Sequence, residues 1–422
     1  MQKGEDPNTI FGFLPKEWKV VQLRDISIGS GIYGINAPAV EFNENLPRYL
    51  RITDIDEQGR IINHAPKSID DPDAEKYILL ENELVFARTG NTTGKCYLYS
   101  KEDGLLVYAG FLVKFRIDPS KADARFVKYF TETAYYRHWV DIMSARSGQP
   151  GINKHEYSKL KLPLPPLFEQ RKIASILSTW DKAIELNERL IEQKKQQQKG
   201  LMQKLLTGEV RLPGFKGEWK RVRLGEIGKV YNGLSGKSAA DFGSGKPYIP
   251  YKAVFENDKV DLTKLGYVQI RAGEKQNQVR CGDIFFTTSS EIPDEIGLSS
   301  VLLEQVDELY LNSFCFGYRL HHFRILLPAF ARFLFRGNEF RRNVVRLAQG
   351  STRFNLSKHE VMKIKVFVPS IEEQKAIATI LGVYDKEIKL LQKQVTNLRQ
   401  QKKGLIQRLL TGKIRIKAEK FS

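Results

Sequence analysis

Two stretches of the chain place apolar residues at alternating steps of four and three. The first reads Ile173, Leu177, Trp180, Ile184, then Asn187, Ile191, Lys194, Gln198, Leu201 and Leu205. The second reads Ile377, Leu381, Tyr384, Ile388, Leu391, Val395, Leu398, Lys402, Leu405 and Leu409, and only Lys402 breaks it. A seam of this kind, held for about five heptads, predicts a coiled coil. Residues from about 168 to 207 have no internal proline and are rich in Lys, Gln, Glu and Leu, all good helix formers. The ends are punctuated. Ser370 followed by Glu373 predicts a capping box, and Gly208 and Gly412 stand where helices end in a left-handed residue. Gly200 and Gly404 lie inside the helices. They permit close helix approach or mark a break in the last turns, and close approach is the favoured reading. Forty residues at 1.5 Å each make a rod of roughly 60 Å.

The two stretches are copies. From Glu169 to Leu212 the sequence matches a second segment 204 residues further on, with 21 identities in 44 positions and no gap. The repeat continues more weakly upstream. EWKVVQLRDI at Glu17–Ile26 matches EWKRVRLGEI at Glu218–Ile227, and Ser147–Pro165 resembles Gly350–Pro369. The chain is therefore one unit written twice, each copy a mixed domain followed by a long helix. Two matching seams most simply pair with each other. Antiparallel pairing would hold the two domains one to two DNA turns apart, a turn being about 34–36 Å. Packing of each helix on its own domain, or on another chain, remains open.

Between the helices the pattern changes to short apolar runs bounded by Gly or Asp, which predict strands. They are Glu83–Ala87, Cys96–Ser100 and Leu105–Ile117 in the first copy, with Asp283–Thr288, Leu298–Leu303 and Phe314–Leu320 in the second. Each domain then turns helical, over Ala124–Met143 and Leu326–Leu347. The fold class is α+β: two tandem β-rich domains separated by two long helices that form an antiparallel coiled coil. The expected boundaries are 1–165 for the first domain, 166–208 for its helix, 209–368 for the second domain, 369–415 for its helix and 416–422 for a tail.

Charge adds a partner. Lys and Arg outnumber Asp and Glu by 67 to 49, a net charge of +18, and the pI is near 9.5. Such an excess favours a polyanion, nucleic acid above all, with an anionic membrane or plain solubility as alternatives. The predicted domain helices interleave cations with aromatics, as in Arg332, Phe333, Arg336, Phe340 and Arg341. Polar loops offer groups that read base edges, with Arg for guanine, Asn and Gln for adenine, and Ser and Thr for either. The candidate DNA-binding residues are Arg88, Thr89, Asn91, Thr92, Lys95, Arg146, Gln149 and Asn153 in the first copy. In the second they are Thr287, Thr288, Ser289, Arg346, Gln349, Ser351, Arg353 and Asn355. Their equivalent places with different residues suggest one scaffold reading two sequences.

Several chemistries are excluded by spacing. Gly236-Lys237-Ser238 would need a glycine at Tyr231 to make a P-loop, and Gly94-Lys95 would need one at Thr89. Leu164-Pro-Pro-Leu167 lacks the polar first and aromatic last residues with which an aminomethyltransferase holds a flipped base. Pro72-Asp73 and Pro293-Asp294 lack a nuclease's downstream acidic-x-Lys. The six histidines show no metal spacing. Cys96, Cys281 and Cys315 are odd in number and far apart, which suits a reducing cytoplasm. No signal peptide is read at the N-terminus, and no segment reaches the roughly 18 apolar residues that span a bilayer. No catalytic or metal residue is assigned.

The helix motif P-P-L-x-E-Q-x-x-I-A-x-I-L, ending in K-G-L-x-Q-x-L-L-T-G, resembles that of the specificity subunits of type I restriction-modification systems. So do E-W-x-x-x-x-L-x-D-I at Glu17, the loop Arg88-Thr-Gly to Gly94-Lys95, and Gly148-Gln149 to Ile152-Asn153-Lys154. The resemblance covers essentially the whole chain. It implies that each domain reads half of a bipartite double-stranded DNA site. The helices would set the unread spacer and dock two adenine methyltransferase subunits, and restriction subunits would join for cleavage. S-adenosylmethionine, ATP and Mg would sit on those partners, with no cofactor on this chain. The second domain departs from the pattern, with Thr287-Thr-Ser-Ser for Arg-Thr-Gly-Asn and Ser351-Thr-Arg353 for Gly148-Gln149-Pro150. The alternative is a structural coiled-coil scaffold whose basic charge is incidental.

Overall fold

A computed structural model describes residues 11–12, 14–145 and 149–416. The chain forms two compact units. Unit 1 is Met1–Glu188 with Lys393–Ser422, and unit 2 is Arg189–Gln392. Each unit holds one domain, half of its own long helix and half of the other.

The two domains share a framework. In unit 1 a four-stranded antiparallel sheet runs Ser27–Tyr33, Leu112–Ile117, Glu83–Ala87, Cys96–Leu98. In unit 2 the same order is Gly228–Asn232, Cys315–Leu320, Ile284–Thr287, Ser299–Val301. The central strands Glu83–Ala87 and Ile284–Thr287 are buried throughout, so their apolar runs need no alternation. A second sheet has four strands in unit 1 and three in unit 2, and each contains one parallel pair. The divergence of the domain interiors therefore includes their architecture.

Two expectations need correction. The run Leu105–Ile117 is not one strand. The turn Ala109–Phe111 divides it into Leu106–Tyr108 and Leu112–Ile117, which belong to different sheets. Each predicted domain helix is also two. Ala124–Phe130 is followed by Ala134–Ser144, because the Thr133 hydroxyl accepts from the Tyr136 N–H and starts a new helix. Likewise Pro328–Leu334 gives way to Asn338–Val345 at Gly337.

The long helices span Leu167–Thr207 and Ile371–Leu409. In unit 1 Asp181 meets Lys402, and Ile173 and Leu177 pack with Ile406, Leu409 and Leu410. In unit 2 Lys194 meets Glu387, Gln198 meets Asp385, and Leu205 shares a core with Ile377 and Leu381. Within each unit the pairing is antiparallel, as the seam predicts. The same segments also bury against their domains: Phe126 and Tyr129 join the first cluster, and Phe330 and Phe333 the second. This double duty explains why Leu206, Ile406 and Leu410 are buried outside the a/d register. Of the seam residues, Ile184, Ile191, Ile388 and Val395 are buried. Trp180, Leu201, Tyr384, Leu391, Leu398 and Leu405 are half-buried.

The repeated Glu-Gln pair at each helix start has a matching role. Glu169 lies under Arg415 and accepts from Nε at 2.8 Å, while Glu373 takes Arg211 bidentately at 2.6 Å. Gln170 and Gln374 accept the N–H of Asp123 and Leu327, tying each domain helix to the long helix. The predicted capping box is half formed. The Ser370 hydroxyl accepts the Glu373 N–H, but the Glu373 carboxylate turns to Arg211 instead. Gly208 and Gly412 close the helices with φ of 73° and 70°. Gly200 and Gly404 break nothing, and a Cβ there would meet nothing within 4 Å, so close approach within the chain is not their reason.

Candidate nucleic-acid interface

The central strand of each domain runs out into a polar loop that a second segment holds in place. In unit 1 that loop starts at Arg88. Its carbonyl accepts the Ile152 N–H at 2.9 Å, Gly90 N–H donates to the Pro150 carbonyl at 2.9 Å, and Thr89 bridges to Gly151. Arg88 Nε donates to the Gly110 carbonyl, and its guanidinium lies 4.8 Å from the Tyr33 ring and 5.8 Å from the Phe111 ring. Lys154 borders the same tyrosine, with Nζ 5.5 Å from the ring and its N–H on the hydroxyl. The result is a fixed basic and aromatic surface with several unspent donors.

Unit 2 builds the equivalent place as a small sheet. Ser289–Ser290, Phe354–Leu356 and Ala348–Gln349 pair so that Ser289, Asn355 and Gln349 fall in one row across it. Two segments far apart in sequence, the Ser289 strand and the 348–356 hairpin, thus present three predicted residues side by side. Asn355, Gln349, Ser351 and Arg353 are exposed, and the Arg353 guanidinium lies 5.9 Å from the Phe314 ring. Lys358 donates to the Asn232 side chain, matching Lys154 at Tyr33.

Not all candidates are free to read bases. Thr287 is fully buried and its hydroxyl accepts the Leu298 N–H. Asn153 caps the helix Lys154–Ser158. Lys95 is held by Glu57 and the Ile55 carbonyl. Thr92 and Thr288 donate to the carbonyls of Thr89 and Phe314, and Ser289 is buried. Asn91 and Gln149 are exposed beside the Arg88 loop. Arg346 is exposed at the end of the helix Asn338–Val345 and lines a cleft of about 650 Å³ with Arg341 and Arg342. There burial and the nearby Arg336 push Arg341 down to about 10. Arg146 lies outside the described residues. Sequence reading missed Tyr33, Phe111, Phe314, Lys154 and Lys358 as part of this surface. The lysines were signalled by the repeated Lys-His-Glu at Lys154 and Lys358.

Among the described residues no cluster of three His, Cys, Asp or Glu could hold a metal. The cysteines are free thiols, and burial pushes Cys96 up to about 12. No helix among the described residues is long and apolar enough to cross a membrane.

The profile of the family described as the type I restriction modification DNA specificity domain matches residues 15–196 and again 216–400. The chain belongs to this family. It carries two specificity domains in tandem and is a DNA-specificity subunit of a type I restriction-modification system, not an enzyme. The chain is 27% identical to the type I restriction enzyme MjaVIII specificity subunit of Methanocaldococcus jannaschii, over 97% of this chain and 95% of that one. It is 24% identical to the EcoKI specificity subunit of Escherichia coli, over 69% and 64%. The fold is shared with the S subunit of M. genitalium, at 16% identity and a TM-score of 0.57, covering 94% of this chain and 96% of that one. It is shared too with a chain from a type I R-M system solved to explain complex assembly, at 18% and 0.58, covering 95% and 99%. The two profile matches cover both domains and most of both long helices, so the family unit is the domain with its helix.

Proposed function

We propose that this specificity subunit reads a bipartite, asymmetric double-stranded DNA site, one half with each domain. Residues 1–165 and 209–368 are the target recognition domains, 166–208 and 369–415 the spacer helices, and 416–422 a tail. The observation that carries this is the pair of loop platforms. They stand at the same node of the same sheet order, yet Arg88 and Gln149 in one are Thr288 and Arg353 in the other. A coiled-coil scaffold would have no use for matched platforms with different chemistry. Exposed Arg353, Gln349, Asn355, Gln149 and Asn91, with Arg88, are the strongest base-reading candidates. Lys154, Lys358, Arg342 and Arg346 suit phosphates.

The helices kept their sequence because both copies have the same two tasks. They hold the domains at a fixed spacing, and they dock two adenine methyltransferase subunits on equivalent surfaces. Those subunits bring S-adenosylmethionine. Restriction subunits, with ATP and Mg, complete a cleaving complex. This chain holds no cofactor, and it works in the cytoplasm, where the DNA is.

Methylome sequencing of a host with and without the gene tests the reading. One bipartite methylated motif should vanish with the gene, and an unchanged methylome would refute it. Deleting one heptad from each helix, about 10 Å, should shorten the unread spacer and leave both half-sites intact.

A further inference from the structure

Each unit leaves one phenylalanine in water at the platform. Phe111 and Phe314 are both 53% exposed. They occupy one structural position. The N–H of Arg88 donates to the Phe111 carbonyl at 3.0 Å, and the N–H of Thr288 to the Phe314 carbonyl at 3.0 Å. In the next step of each ladder Ala87 pairs with Leu112, and Thr287 with Cys315. The turns have otherwise diverged, Ala109-Gly-Phe-Leu112 against Asn312-Ser-Phe-Cys315. Backbone bonds close both turns without the ring, from Leu112 to Ala109 and from Cys315 to Asn312. A ring half in water forgoes the burial that favours phenylalanine in a fold, so folding does not account for keeping it in both copies.

Each ring also has a guanidinium beside it, and the two cations come from different places. Arg88 lies 5.8 Å from Phe111, and Arg353 lies 5.9 Å from Phe314. Their counterparts in the other copy are Thr288 and Gln149. The ring is what the two platforms share, while the cation beside it is supplied by a different loop in each.

We propose that Phe111 and Phe314 are the common DNA-contacting wedge of the two domains, each ring packing against the base stack of its own half-site. This rests on the reading of both domains as DNA readers. Apolar side chains are the type that packs into base steps and against thymine methyls. A guanidinium steadied beside the ring then reaches a guanine edge from a fixed start.

The test uses the full-length chain assembled with its methyltransferase partner and duplexes bearing the motif found by methylome sequencing. One half-site is scrambled at a time. Phe111→Ala should weaken binding to the intact site by about tenfold or more, and scrambling one half-site should then cost the variant far less than it costs wild type. Scrambling the other half-site should cost both the same. Phe314→Ala should show the reciprocal pattern. Phe111→Leu should retain most of the affinity, and Phe42→Ala, a ring 47% exposed just beyond the Val40–Glu41 strand, should bind within about twofold of wild type. The wedge is refuted if both alanine variants bind like wild type, or if each loses affinity equally at either half-site. Should wild type yield no bipartite motif, the DNA-reading assignment itself fails and takes the wedge with it.

Discussion

The two units solve the junction between domain helix and long helices with different ions around the same aspartate. In unit 1 Asp181 accepts from Lys402 at 2.7 Å and from the Tyr129 hydroxyl at 2.7 Å, and Lys402 also reaches Glu132 at 2.9 Å. In unit 2 Asp385 accepts from Gln198 at 2.6 Å and from Arg332, which in turn meets Asp258. Every pair of positions is 204 residues apart: Asp181 and Asp385, Lys402 and Gln198, Lys128 and Arg332, Glu132 and Arg336. The aspartate is fixed and the cation changes element, from the long helix in unit 1 to the domain helix in unit 2. Lys402, which looks like a flaw in the apolar seam, is only 6% exposed and joins three elements of unit 1.

Removing the central donor should therefore hurt unit 1 far more than unit 2. Lys402→Ala leaves the partly buried Glu132 with Lys128 as its remaining ion-pair partner, and should cost about 3 kcal/mol. Gln198→Ala removes a neutral donor and should cost about 1 kcal/mol. Denaturant unfolding of the full-length chain gives both numbers. Equal losses would mean that the two junctions are energetically alike despite their different chemistry.

Acid should separate the units next. Burial opposes ionisation of Glu132, but Lys128 and Lys402 outweigh it and hold the carboxyl below its ordinary 4.5. A lowered folded value contributes stability above the unfolded pKa, and that stability is lost as pH falls through the folded value. Unit 2 has Arg336 at this position, which bonds four backbone carbonyls and does not titrate in acid. Below about pH 4.5, amide exchange should rise in Ala124–Ser144 before it rises in Pro328–Val345. The reverse order would break the comparison, and Glu132→Gln should abolish the difference.

The long helices were legible because a 3.5-residue pattern, glycine ends and a repeat all point one way. The double helices at 124–144 and 328–345 were not, because continuous basic and aromatic residues hide the new starts at Thr133 and Gly337. The candidate loops were legible as neighbours within each unit, since the Arg88 and Gln149 loops meet in unit 1 and Ser289, Gln349 and Asn355 share a row in unit 2. Which side chains remain free was not. Thr287 and Asn153 have the chemistry of base readers, but they satisfy backbone N–H groups, a role that only three-dimensional neighbours reveal. Phe111 was missed for the opposite reason: an apolar residue within an apolar run reads as core, and only the turn at Ala109–Phe111 puts it outside.

The smallest expected effect concerns a glycine that both long helices carry without a cause inside the chain. A Cβ at Gly200 or Gly404 would meet no atom within 4 Å, and both helices run through these positions unbroken. Alanine at either should stabilise the chain by up to about 1 kcal/mol, because glycine in a helix interior forfeits that much. The two increments should be equal, as the surrounding Lys-Gly-Leu segments match. A clear inequality would show that the helix ends differ in ways the shared sequence hides. The informative outcome is a stabilised chain that assembles less well with the proposed methyltransferase partner. In that case each glycine is a clearance for the partner, kept in both copies at a cost to the helix itself. If assembly is unchanged as well, the glycines answer to neither packing nor docking, and the equivalence of the two helices extends to a residue that neither unit needs.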